Sequence, residues 1–144
     1  MSPNEYQKAA LRTESSVNIA RVLEKFLKLK TGDGDAILAM MSICNEGKPD
    51  TNMIRLINGT MGMCGEAGEV DEILKKHLFQ GHDIDVEHVA RELGDVAWYL
   101  AIAADAIGYN LEDIFQMNIN KLQTRYPGKG FDSERSQHRS EGDI

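Results

Sequence analysis

The amino-acid sequence predicts an all-α, antiparallel helical bundle, on three observations. Long stretches repeat apolar residues at spacings of three and four, the period of a helix with one buried face. Only Pro3, Pro49 and Pro127 interrupt the chain, so those stretches have room to run as helices. No stretch alternates with the period of two that marks strands, and short turns between helical stretches make neighbours antiparallel. With 144 residues, the chain fits one domain, expected over residues 1–130, followed by a polar tail over 131–144.

The first helical pattern runs from about Glu5 to Leu29, with Ile19, Val22, Leu23, Phe26 and Leu29 on its apolar face. Thr31-Gly32-Asp33-Gly34-Asp35 breaks it, and an aspartate there can cap the next helix. Asp33 and Asp35 hint at a calcium loop, but Leu38 stands where such a loop requires glycine, so that reading fails. A short helix carrying Ile37, Leu38, Met41 and Cys44 ends near Gly47-Lys48-Pro49.

A long helix is expected from Asp50 to Phe79, capped by Asp50 or Thr51. Its apolar positions are Met53, Ile54, Ile57, Met61, Cys64, Ile73 and Leu74, interrupted by Gly65-Glu66-Ala67-Gly68-Glu69. Gln80 to Asp85 reads as a turn. The clearest helix follows, its stripe formed by Val86, Val89, Leu93, Val96, Ala97, Leu100, Ala101, Ala104 and Ile107, with Gly108 ending it. Asn110 is the expected cap of a last helix carrying Leu111, Ile114, Phe115, Ile119, Leu122 and Tyr126, stopped by Pro127. From Phe131 to Ile144 the tail is expected to be mobile, or ordered only by a partner or ligand.

The formal charge of −7 argues against a nucleic acid polymer as partner, since phosphate neutralisation needs a basic surface. No apolar run approaches a bilayer span, and the N-terminal residues lack the apolar core of a secretory signal, so no membrane association and a cytoplasmic location are expected. Cys44 and Cys64 then read as reduced packing residues. Asn58-Gly59-Thr60 matches a glycosylation acceptor that such a location leaves idle.

Carboxylates carry the strongest chemical signal. Glu66 and Glu69 are three apart and share a face of the long helix, while Glu92 and Asp95 do the same on the next. About twelve residues separate Glu69 from the turn at Gly81, and about eleven separate that turn from Glu92. At equal rise per residue the two pairs come level. Four facing carboxylates cannot all stay ionised without a counter-charge. Oxygen ligands alone select a hard divalent cation, Mg²⁺, with Mn²⁺ as a substitute. A di-iron centre wants histidine three residues after a glutamate, where this chain has Glu69 and Asp95. Solvated helix faces are the plain alternative. Against it stand the level alignment and the helix-interior glycines Gly65 and Gly68, each costing roughly 1 kcal/mol relative to Ala. That cost suggests close backbone approach or room for something bound.

Asn118 interrupts the apolar stripe of the last helix, where a buried amide needs partners. Lys121 and Arg125 follow on nearly the same face, either to bind phosphate or to meet the helix dipole. Lys75 and Lys76 are phosphate ligands or partners of Asp71 and Glu72, the structural role being favoured for at least one. His77, His82 and His88 gather around the turn without ligand spacing, and Trp98 can stack a base or pack at a subunit interface.

Taken in order, Gly65-Glu66-Ala67-Gly68-Glu69-Val70, Glu92-Leu93-Gly94-Asp95-Val96-Ala97-Trp98-Tyr99 and Asn118-x-x-Lys121-Leu122-x-x-Arg125-Tyr126-Pro127 resemble the MazG-like family of all-α nucleoside triphosphate pyrophosphohydrolases. The resemblance runs from about Met53 to Phe131, with 22 residues between the two acidic motifs. It implies Mg²⁺ ligation by Glu66, Glu69, Glu92 and Asp95, which are then also the catalytic residues, and a nucleotide bordered by Tyr99. Asn118, Lys121 and Arg125 are implied contacts to sugar or phosphates. The implied reaction converts an NTP or dNTP to its monophosphate and pyrophosphate, and the implied assembly is a homodimer or homotetramer that completes the bundle. Residues 15–50 match less well and read as an added helical segment capping the pocket or serving oligomer contacts. A pyrophosphate compound such as dUTP, dCTP or an alarmone is a variant substrate. A non-catalytic helical oligomerisation module, or a divalent-cation-binding module, is the alternative from another functional class.

Overall fold

The computed structural model describes residues 1–14, 52–128 and 130–138, and among them every regular element is a helix. These are α1 (Pro3–Leu11), α2 (Met53–Gln80), α3 (Val86–Ala106), α4 (Leu111–Arg125) and α5 (Ser133–Gln137). The all-α expectation holds. The short helix around Met41, the Thr31–Asp35 break and the apolar residues from Ile19 to Leu29 lie outside the described residues.

Helix α1 ends at Leu11, so the pattern beginning at Glu5 is not one helix to Leu29. Ser2 and Glu5 form a reciprocal capping box at its start, and Thr13 turns its hydroxyl back onto the carbonyl of Ala10 at its end. Helix α2 starts at Met53 because Asn52, rather than Asp50 or Thr51, supplies the cap: its Oδ1 accepts from the Arg55 N–H at 3.1 Å. Gly81, at φ +73°, closes α2 in the left-handed region and reverses the chain. Asp85 then caps α3 by accepting from the His88 N–H.

Helices α2 and α3 form the main antiparallel pair. Gly59 is buried in it, and a Cβ there would lie 3.0 Å from the backbone N and the Cβ of Ala103 and 3.1 Å from the Tyr99 carbonyl. One turn on, Gly62 leaves the space that the Tyr99 ring fills. Close approach is therefore located at Gly59 and Gly62. At Gly65 and Gly68 an added Cβ meets nothing within 4 Å, so of the two expectations for that pair only open space remains.

Helix α1 lies across α3 and the start of α4. Ala10, Ala101, Ala104 and Leu111 form the buried cluster, with Tyr6, Trp98, Leu100 and Ile114 packed on it. Buried Gln7 ties three elements together. Its Nε2 donates to the carbonyls of Tyr109 and Ala101, and its Oε1 accepts from the Leu111 N–H at 2.9 Å. Asn4 Oδ1 accepts from the Glu112 N–H. These α1 side chains take the first α4 donors, while the Asn110 side chain caps none and reaches Asp113 instead. Arg55 joins Glu14 to Asp105, with Nε 2.8 Å from Glu14 Oε1 and Nη1 2.7 Å from Asp105 Oδ2, and these partners hold it firmly charged.

Much of the expected inward stripe faces outward. Met53, Ile57, Met61 and Leu74 on α2, Val86 and Leu93 on α3, and Phe115, Ile119 and Leu122 on α4 are exposed. Cys64 is exposed too, correcting its reading as a packing residue, since α2 meets α3 through its glycines rather than through that face. The tail is not wholly irregular: Asp132 caps the five-residue α5, and the Tyr126 and Phe131 rings meet at 5.5 Å just before it. No helix among the described residues is long and apolar enough to cross a membrane.

Candidate metal centre

In an antiparallel pair each step forward on α2 is a step back on α3. The packing of Gly62 against Tyr99 therefore sets Glu66 level with Asp95 and Glu69 level with Glu92. The side chains follow that register. Glu66, Glu69 and Glu92 each offer a carboxylate oxygen, and the three oxygens lie within 4.8 Å of one another. Asp95 stands beside this trio, and its charge acts on both Glu66 and the Tyr6 hydroxyl. Tyr6 also donates to the Gly94 carbonyl at 3.2 Å, which anchors α1 next to the Glu92–Asp95 turn.

The cluster is electrostatically loaded. Desolvation, then the charges of Glu69, Asp95 and Glu92, then a hydrogen bond with Glu92 hold the Glu66 carboxyl above its ordinary value of 4.5. Folded protein thus keeps this proton to higher pH than unfolded chain does, and stability falls as pH rises from 4.5 through the raised value. In EDTA, thermal melts of the wild type should show that decline, and Glu66→Gln should flatten it. A melting temperature with equal pH dependence in both proteins contradicts the assignment.

Glu92 is the buried member of the trio, and His88 lies over it, with Nε2 2.8 Å from Oε1. Sequence reasoning grouped His88 with His77 and His82 without linking it to the carboxylates. The i,i+4 spacing from His88 to Glu92 was the available signal. His77 instead meets the His82 carbonyl through Nδ1 at 2.8 Å and closes the turn.

The remaining candidates are dispersed. Tyr99 sits one turn after Asp95, with its ring on Gly62 and edge-on to Trp98 at 4.8 Å. Trp98 packs within the chain and donates from Nε1 to the Thr13 hydroxyl, so its role in the described structure is to hold α1 on α3. Asn118 is exposed rather than buried. With Lys121 it stands at a groove of about 780 Å³ whose other walls include Leu100, Ile107, Ile114 and Phe115. Arg125 is the last residue of α4. Lys75 and Lys76 both pair with Glu72, at 2.9 and 3.2 Å, which bears out the structural reading for them.

The donor set suits a hard divalent cation: three carboxylates converge without thiolate or imidazole among the converging oxygens, and their mutual repulsion asks for a positive counter-charge. Comparison with known proteins agrees with this reading of the acidic helices. The family model described as "MazG nucleotide pyrophosphohydrolase domain" matches residues 58–129, half of the chain. A Mycobacterium phage L5 protein, "Gene 37 protein", is 40% identical over an alignment of 70 residues that covers 46% of this chain and 61% of that protein. No solved structure matches significantly.

Proposed function

This chain belongs to the MazG nucleotide pyrophosphohydrolase domain family, and from that premise we propose that it hydrolyses a nucleoside or deoxynucleoside triphosphate to the monophosphate and pyrophosphate. The observation that carries the reading is the convergence of Glu66, Glu69 and Glu92, with Asp95 beside them, inside the matched region. These four residues hold Mg²⁺, with Mn²⁺ as a substitute. When bound, the cation offsets the triphosphate charge and polarises the α-phosphoryl group.

The rest of the chemistry belongs to the chain. Lys121 and Arg125 attract phosphate oxygens, Asn118 hydrogen-bonds sugar or phosphate, and Tyr99 borders the nucleotide. One glutamate of the cluster takes the proton from the attacking water as the α-phosphorus gains that oxygen and loses pyrophosphate. Residues 1–130 act as the catalytic domain and 131–144 as its tail. Exposed Met61, Phe115 and Ile119 support a homodimer or homotetramer, since apolar faces of this kind are covered in assemblies. In this reading the enzyme trims nucleotide pools in the cytoplasm.

The test is pyrophosphate release from a panel of NTPs and dNTPs, with Mg²⁺ and with EDTA. Cation-dependent release with an NMP product is expected, and the panel reads the base preference directly. Silence across the panel, from folded protein with cation present, sinks triphosphate hydrolysis. Cation binding without turnover would then favour the non-catalytic module.

A further inference from the structure

We infer that His88 is a positioning residue, holding Glu92 in the orientation in which its carboxylate faces Glu66 and Glu69. This inference rests on the reading of those glutamates as a cation site. Asp85 Oδ1 accepts from the His88 N–H at 2.9 Å and fixes this residue in the first helical turn. Glu92 follows one turn later on the same face, and the imidazole Nε2 reaches its Oε1 at 2.8 Å.

The burial of the two side chains is unequal. His88 leaves 47% of its side chain in solvent, whereas Glu92 leaves 11%. An ordinary surface pair between mobile, hydrated groups contributes little. Here one partner is a desolvated carboxylate that needs hydrogen bonds to remain where it is. A carboxylate can turn about its last torsion unless an oxygen is held. His88 Nε2 stands 2.8 Å from Oε1, from the turn preceding Glu92, while Glu66 and Glu69 face the same carboxylate from across the helix pair. Between that imidazole and the two facing glutamates, the carboxylate sits with Oε1 toward His88. Residues that orient a metal ligand in this way typically change metal affinity by about 10–100-fold when removed.

The experiment measures Mn²⁺ binding without nucleotide, from the free-ion paramagnetic resonance signal, for wild type, His88→Ala, His88→Gln and Glu92→Gln, with helicity checked for each. His88→Ala is expected to weaken binding about 10-fold or more. His88→Gln keeps an N–H donor within reach and is expected to recover most of that loss, a rescue that a purely structural role does not produce. Wild-type affinity in His88→Ala, with binding lost in Glu92→Gln, overturns the positioning role and leaves the proposed function standing. A His88→Gln variant no better than His88→Ala overturns the donor role. Equal Mn²⁺ binding by wild type and Glu92→Gln, or none by the wild type, removes the cation site itself and both readings with it.

Discussion

Glu69→Gln should lower cation-dependent pyrophosphate release by about 10²–10³-fold, the range expected when one preorganised electrostatic group is removed from a reaction centre. The helical fold should survive. Glu69 is exposed on α2, and the substitution preserves shape while taking one negative charge from a crowded cluster. With less repulsion around Glu66, the cation-free variant should melt no lower than wild type. The addition of Mg²⁺ should then stabilise wild type more than the variant, because a ligand raises stability only where the folded state binds it. Initial rates and melting curves, each with Mg²⁺ and with EDTA, check both halves. Turnover within a few-fold of wild type would remove Glu69 from the cation site. Loss of turnover together with loss of helicity would make Glu69 a folding residue instead.

Charge spacing makes this cluster legible in the sequence. Glu66 and Glu69 share a helix face whatever that helix packs against, and a turn at Gly81 almost dictates that Glu92 arrives opposite. What periodicity does not carry is the identity of the partner surface. It marks Met61, Phe115 and Ile119 as apolar-face residues, yet all three are exposed in the single chain. Asn118 sits among apolar neighbours in sequence for the same reason and nevertheless faces solvent.

Long-range hydrogen bonding is equally hidden. Asn110 has the chemistry of a helix cap, but Gln7 and Asn4 arrive from the other end of the chain to take the first α4 donors. Local sequence points to Asn110 as the cap, whereas the fold supplies those acceptors from α1. His88 illustrates the complementary case: its nearest histidines in sequence suggested a cluster, and the helical repeat places it over Glu92 instead. Local rules therefore located the acidic chemistry and the helices, while tertiary contact decided which side chains support them.

Glycine in α2 gives the sharpest stability contrast. Gly59→Ala should destabilise the protein by about 1–3 kcal/mol, the usual range for overpacking, even though alanine is favoured over glycine in a helix by roughly 1 kcal/mol. The new Cβ would stand 3.0 Å from the Ala103 backbone N, which cannot move aside as a flexible side chain could, so α2 and α3 must part. Ala103→Gly removes the Cβ contact but leaves that nitrogen and the Tyr99 carbonyl in place. Combined with Gly59→Ala, it should therefore recover only part of the loss in a double-mutant cycle. Gly65→Ala and Gly68→Ala have the opposite expected sign. Their new methyl groups meet nothing within 4 Å, so helix propensity acts unopposed and each should gain up to about 1 kcal/mol in urea unfolding. Stabilisation at both positions would show that their glycines are not required by helix packing. Since each immediately precedes a cluster glutamate, a rise in KM accompanying that gain would mean that the open face receives substrate; unchanged KM would assign substrate approach to another side of the cluster.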